Sequence, residues 1–235
     1  MSALEAMRSR RSLSQVTDEA PTHKELVELI SAAGRVADHK ELKPWRLIEL
    51  RGDDRLVLGK AIARAQGEDG VNTKPLRAPL LIAVVATIKS TSLPAWEQEA
   101  TAAGVAHALS LLLDEAGWGV IWRTGDYTRA KAVSKAHGLK KGELLLGWLY
   151  VGGRPDRSRP VRGKTIDGER YLSAMPSEDA GDEDAKDAKD AKQARESEKA
   201  QKKARKAAKK ARKAEKDAEK KARKAEKKAR KAEKA

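Results

Sequence analysis

The chain has 235 residues, with 50 Lys and Arg against 35 Asp and Glu, a formal charge of +15 and no cysteine. The lack of cysteine excludes disulfides and thiolate metal sites, and no apolar run reaches the ~18 residues that a bilayer-crossing helix needs. The start Met1-Ser2-Ala3-Leu4-Glu5 is not a basic stretch entering an apolar one, so a cytoplasmic location is expected.

Runs of Leu, Ile, Val and Ala, all five Trp and all three Tyr fall before Pro176. This predicts one domain over 1–176, large enough to bury about 70% of its unfolded surface without a staple. In chain order, Leu4 to Arg10 reads as the first helix. Thr22 with Glu25 forms a capping box for a second helix running to about Val36. Arg46 to Arg51 alternates as a strand, Leu56 to Gln66 has helical spacing, and Leu80 to Ala86 is a β-branched apolar run of the kind found in a buried strand. Trp96 to Ala116 is rich in Ala and Leu almost all round, as a central buried helix would be. Gly119 to Arg123 and Leu144 to Gly152 read as strands, with a short helix from Arg129 to His137 between them. Helices and strands mix without regular βαβ alternation. The predicted class is therefore α+β, a layered fold with a central, mostly antiparallel sheet flanked by helices.

An acidic stretch from Glu178 to Asp190 ends in an Asp-Ala-Lys repeat and reads as a solvated linker over 177–198. From Lys199 to Ala235 there are 19 Lys and Arg against five acids, so this tail carries +14 and the preceding chain is nearly neutral. The alanines Ala218, Ala222, Ala225, Ala229 and Ala232 recur at helical spacing. Asp217 with Lys221, and Glu226 with Arg230, are favourable pairs four residues apart. Lysine repulsion opposes that helix, so partial helix completed on binding an anion is expected. Two readings fit the tail. One is contact with nucleic acid or another polyanion, directed at the backbone because no aromatic residue is available for stacking; the other is a solubilising appendage.

Several motifs fail. Gly117-Trp118-Gly119 lacks the third glycine of a dinucleotide fingerprint, Gly163-Lys164-Thr165 lacks the earlier glycine of a phosphate loop, and the four histidines share no ligand spacing, so no metal site is expected. No G-x-S-x-G elbow is present. What remains is a set of cations and hydroxyls: Arg8-Ser9-Arg10-Arg11-Ser12, Arg35 with Asp38-His39-Lys40, and Trp122-Arg123-Thr124. Arginine forks and hydroxyls suit an anionic ligand such as a phosphate. The alternative is that these arginines form surface ion pairs.

The chain resembles the nitroreductase family, and within it a compact NAD(P)H branch. The resemblance is carried by Arg10-Arg11-Ser12, Ala37-Asp38-His39-Lys40 followed by Pro44-Trp45, Arg77-Ala78-Pro79, Trp96-Glu97-Gln98-Glu99, Gly119-Val120-Ile121-Trp122-Arg123-Thr124-Gly125 and Gly147-Trp148-Leu149-Tyr150-Val151-Gly152. It implies a homodimer with FMN at the subunit interface. Arg10, Arg11, Ser12, Trp122, Arg123 and Thr124 would contact FMN from one subunit, and Arg35 and His39 from the other. NADH or NADPH would bind near Leu112, Leu113, Asp114, Glu115, Ala116 and Gly117. Lys43 stands where the family usually has glutamine, and Thr124 where it has serine. The implied activity is ping-pong hydride transfer through flavin N5 to a nitroaromatic or quinone-like acceptor, with no catalytic side chain. The alternative is a flavin-binding dimer with little turnover whose basic tail binds a polyanion.

Overall fold

A computed structural model describes residues 2–156 and 166–175. The expected linker (177–198) and basic tail (199–235) lie outside the described residues. The chain divides into two units, Met1–Thr165 and Ile166–Ala235; in the second, the described residues hold a single 3-10 turn, Gly168–Tyr171.

Two helices open the first unit with the same device. In α1 (Ala3–Ser9) the Glu5 amide donates to Ser2 Oγ while the Ser2 amide donates to Glu5 Oε2, at 3.3 and 2.7 Å. In α2 (His23–Ala33) Thr22 and Glu25 repeat the pattern. Each box satisfies amides that the first helical turn leaves open. The sequence reading identifies the second box and passes over the first, although both spell hydroxyl-x-x-Glu. α2 also stops three residues short of the expected Val36. The Arg35 amide turns back to Ala32 O, and a Cβ on Gly34 would stand 2.9 Å from the Trp45 ring, which closes over the helix end.

The sheet contains β1 (Trp45–Leu50), β2 (Leu80–Thr87), β3 (Trp118–Arg123) and β4 (Glu143–Gly153) in the order β1-β2-β4-β3. Every pairing is antiparallel. Side chains of β2 alternate between two cores. Leu80, Ile82 and Val84 pack with Leu26 of α2 and with Val105, Leu109 and Leu113 of α4 (Ala95–Glu115). Leu81, Ala83 and Val85 pack with Trp148 and with Leu58 and Ile62 of α3 (Asp54–Ala65). Helices thus cover both faces, which explains why β2 reads as an unbroken apolar run. Each of the fully buried Leu, Ile and Val side chains among these contributes about 1.5–3 kcal/mol. The layered α+β expectation holds.

Two further features differ from expectation, the extent of α5 and the burial of α4. α5 covers only Lys131–Ala136, because Asp126–Arg129 forms a separate 3-10 turn and Ala130 between them is extended. α4 is less enclosed than its composition suggests, with His107 exposed and Trp96 69% exposed.

Candidate functional site

β3 is the edge strand that gathers the predicted site. The Leu13 amide donates to Val120 O at 3.0 Å, and the Thr17 amide donates to Gly153 O at 2.9 Å. Gly153 faces Trp118 in the β3–β4 register. Arg10, Arg11 and Ser12 therefore leave the end of α1, where the Arg10 amide caps Ala6 O, and arrive beside the middle of β3.

Trp122 and Arg123 are adjacent in sequence but point to opposite faces, as successive strand residues must. Trp122 lies on the α4 side, its ring edge-on to His107 with centroids 5.0 Å apart. Arg123 lies on the other side, its guanidinium 5.4 Å from the centre of the Tyr150 ring. Both carry a buried N–H group with no partner among the described residues, Trp122 Nε1 and Arg123 Nε. A buried donor left unpaired costs about 1–3 kcal/mol, so each marks a place where an acceptor from a ligand would be favourable.

The close approach depends on the facing strand. Between Val84 and Val85 the β2–β4 register slips, Val84 facing Gly147 and Val85 facing Leu145, so β4 bulges at Leu146. Gly147 has φ +137, and a Cβ there would stand 2.5 Å from Arg123 O and 2.7 Å from Trp122 Nε1. Glycine is required on both counts.

A cleft of about 340 Å3 opens where these groups meet. It is lined by Lys74 and Arg77, by Ile121 to Thr124, and by Tyr127 and Tyr150. Burial first, then the neighbouring Tyr127, push the Tyr150 phenol up to about 12 against the pull of Arg123 and Arg77, so it is neutral at physiological pH. The cleft is thus cationic and aromatic, with the Tyr150 phenol neutral. Among the described residues the arginine ion pairs are Arg46–Glu143, Arg51–Glu49, Arg129–Glu99 and Arg154–Asp114. Arg10, Arg35 and Arg123 take no part in them, which favours the ligand reading of these cations over the surface-pair reading.

Lys74 and Arg77 were not predicted as site residues. They sit on a 3-10 turn whose Pro75 is buried, at the entry to β2. Only strand pairing brings that turn near Tyr150, and the sequence signal available was the Arg77-Ala78-Pro79 run alone.

The remaining predicted residues lie elsewhere on the protomer. Arg35 is exposed beyond α2. His39 sits in a short 3-10 segment, its Nδ1 3.3 Å from Glu97 Oε1 at the start of α4. This segment is strained, with Lys40, Glu41 and Lys43 at φ +60, +51 and +47. The Lys43 amide braces it by donating to Asp38 Oδ2 at 2.6 Å. Among the described residues no hydrogen bond or ion pair joins Arg35 or His39 to the β3 cleft. The segment Leu112 to Gly117 closes α4 and leads into the opposite end of β3 from Arg123. There Leu113 is fully buried, and the buried Asp114 is held by Arg154 Nη2 at 2.9 Å. Leu112 packs against the core, leaving Glu115, Ala116 and Gly117 exposed.

The model of the nitroreductase family matches residues 7–153, which include both the β3 cleft and the His39 segment. YdjA of Escherichia coli (strain K12), provisionally named an NAD(P)H nitroreductase, is 35% identical over 161 residues, covering 65% of this chain and 88% of that protein. The chain belongs to the nitroreductase family. Its fold is similar to that of a nitroreductase-like family protein from Bacillus cereus, with TM-score 0.66 and 22% identity over 75% of this chain and 97% of that one. It is also similar to an FMN-dependent nitroreductase from Clostridium difficile R20291, with TM-score 0.58 and 18% identity over 74% and 99%. Within the nitroreductase chain, no described helix is long and apolar enough to cross a membrane.

Proposed function

We propose that the chain is an FMN-dependent NAD(P)H oxidoreductase that works as a homodimer on nitroaromatic or quinone-like acceptors in a ping-pong cycle. The observation that carries this reading is the buried donor Arg123 Nε, unpartnered among the described residues, at a cleft also lined by Lys74 and Arg77. A flavin mononucleotide fits these cations and this donor, since its phosphate is anionic and its carbonyl oxygens and ring nitrogens N1 and N5 are acceptors, and its flat ring suits the aromatic surfaces. Relatives support the choice: the Clostridium difficile structure is of a protein named FMN-dependent, and YdjA is provisionally named for NAD(P)H.

When bound, FMN supplies hydride acceptance and release at N5, which no side chain of this protein can provide. The chain's own contribution is positional and electrostatic. Arg10, Arg11 and Ser12 grip the phosphate from the β3 edge. Lys74, Arg77 and Arg123 would hold fixed positive charge at the cleft, which favours the anionic form of a reduced flavin bound there. Arg35 and His39 act from the partner subunit, the Glu97 carboxylate setting the orientation of the His39 ring. The nicotinamide donor approaches by way of the exposed Glu115, Ala116 and Gly117. Purified protein is expected to be yellow, or to become so on adding FMN, and to oxidise NADH or NADPH when a nitroaromatic or quinone is supplied. A colourless protein that takes up no FMN overturns the proposal.

A second reading rests on a different observation, the concentration of +14 charge from Lys199 onward. In it the body is a flavin-binding dimer with little turnover, and the tail holds nucleic acid or another polyanion, two tails per dimer adding avidity. Rapid-mixing measurement of flavin reduction by NAD(P)H separates the two: slow or absent reduction favours the second.

A further inference from the structure

Three glycines where the N-terminal segment meets the sheet are not explained by backbone conformation. Gly119, Gly152 and Gly153 lie in β3 and β4, and none has positive φ. Any residue could adopt their extended backbone, and glycine in a strand interior weakens it. What glycine supplies here is room.

Gly119 and Gly152 face each other in the β3–β4 register, so their missing side chains leave a gap on one face of the sheet, across two strands about 4.8 Å apart. Val16 fills it. A Cβ on Gly119 would stand 2.8 Å from Val16 Cγ1 and 3.3 Å from Leu13 Cδ1, and one on Gly152 would stand 2.7 Å from both Val16 Cγ2 and Thr17 O. At Gly153 a Cβ would collide with Thr17 Oγ1. Residues 13–17 therefore form a strap lying flat across the sheet. It is pinned at the outer edge of β3 by Leu13 N–H to Val120 O, and at the end of β4 by Thr17 N–H to Gly153 O and Gly153 N–H to Glu19 O. The face it crosses is that of the cleft, because Ile121 and Tyr150 each lie two residues beyond the glycine pair and so point the same way.

We propose that the Gly119–Gly152 slot seats this strap and so positions Arg10, Arg11 and Ser12 beside the cleft, making the two glycines and Val16 positioning residues for the phosphate of the bound flavin. The triplet hangs between two fixed points, the Arg10 amide on Ala6 O at 2.9 Å and the Leu13 amide on Val120 O at 3.0 Å. Lifting Leu13 from the sheet moves one of those points and leaves the helix end where it was. The inference rests on the FMN reading above, and its test separates the two.

The phosphate is what distinguishes FMN from riboflavin, so the ratio of their affinities for the full-length protein reads the grip of the triplet. Gly119→Ala forces Val16 and Leu13 upward and is expected to cut FMN affinity about tenfold, the worth of one charge-assisted hydrogen bond, with riboflavin affinity unchanged. On a Val16→Ala background, where the colliding methyl is gone, the same substitution is expected to change the ratio less than about twofold, a coupling between neighbours. Equal loss on both backgrounds, or equal loss for FMN and riboflavin, overturns the proposal. If Gly119→Ala does not fold, Val16→Leu overfills the slot from the strap side and is expected to depress the ratio in the same way; an unchanged ratio there also overturns it. If the wild type binds neither flavin, the FMN reading falls and takes the phosphate role with it.

Discussion

His137 shows how a buried titratable group is held in one protonation state. It lies in the core beside Trp148, whose indole Nε1 donates to His137 Nε2 at 2.9 Å, while His137 Nδ1 lies 2.8 Å from Val133 O. A neutral ring serves both partners, donating from Nδ1 and accepting at Nε2. Burial pushes its pKa below the usual 6.5, with a smaller contribution from the charge of Arg46. The unfolded chain therefore takes up this proton first, and stability should fall as pH drops below 6.5. Wild type is expected to lose more thermal midpoint between about pH 7.5 and about pH 5.5 than His137→Gln, which cannot titrate; parallel losses would show that His137 is not the group responsible. Glu143 gives the opposite chemistry. Its carboxylate takes Arg46 Nε and Nη2 at 2.7 and 2.8 Å and the Lys140 amide at 2.8 Å. Arg46 chiefly, and then the Lys140 amide, hold its pKa down at about 2 despite burial. Stability from this group is complete above the ordinary carboxylate value of 4.5 and disappears as pH falls toward 2. Glu143→Gln should cost about 2 kcal/mol in denaturant unfolding at neutral pH, since Arg46 loses its charged partner. That gap should narrow in acid; a constant gap would point to packing instead.

The elements themselves were largely legible. Among the described residues, periodicity located the four strands and the five α-helices to within a few residues, because β2 and α4 carry long, consistent patterns and α2 is spelled out by its capping box. What sequence could not supply was non-local. Trp122-Arg123-Thr124 reads as one ligand patch, yet strand alternation sends Trp122 toward His107 and Arg123 toward Tyr150. Lys74 and Arg77 join the cleft only through the order in which β2, β4 and β3 pair. The bulge at Leu146 and the glycine gap under Val16 depend on register, which no local pattern states. Gly147 tests this level directly. Gly147→Ala puts a methyl against Arg123 O in a backbone region hostile to side chains, and is expected to cost about 3 kcal/mol and to weaken FMN binding. Unchanged stability would mean that β4 can close the bulge without harm.

At the scale of the whole molecule, charge and chemistry occupy different parts of the chain. The residues up to 198 are close to neutral and include the entire family match, whereas +14 lies from Lys199 to the end. Truncation after Pro176 is expected to leave NAD(P)H oxidation intact while abolishing retention on DNA or RNA. That retention in the full chain should fall steeply with salt, as counterion release requires. Retention that survives truncation, or is indifferent to salt, would assign polyanion contact elsewhere or remove it. The central claim, a working flavin site built around β3, is tested most directly by loading the full-length protein with FMN and following the flavin absorption band during anaerobic addition of NADH or NADPH. The band should bleach and then recover when a nitroaromatic or quinone is admitted; a protein that binds no FMN, or whose bound FMN stays oxidised with both donors, contradicts the account.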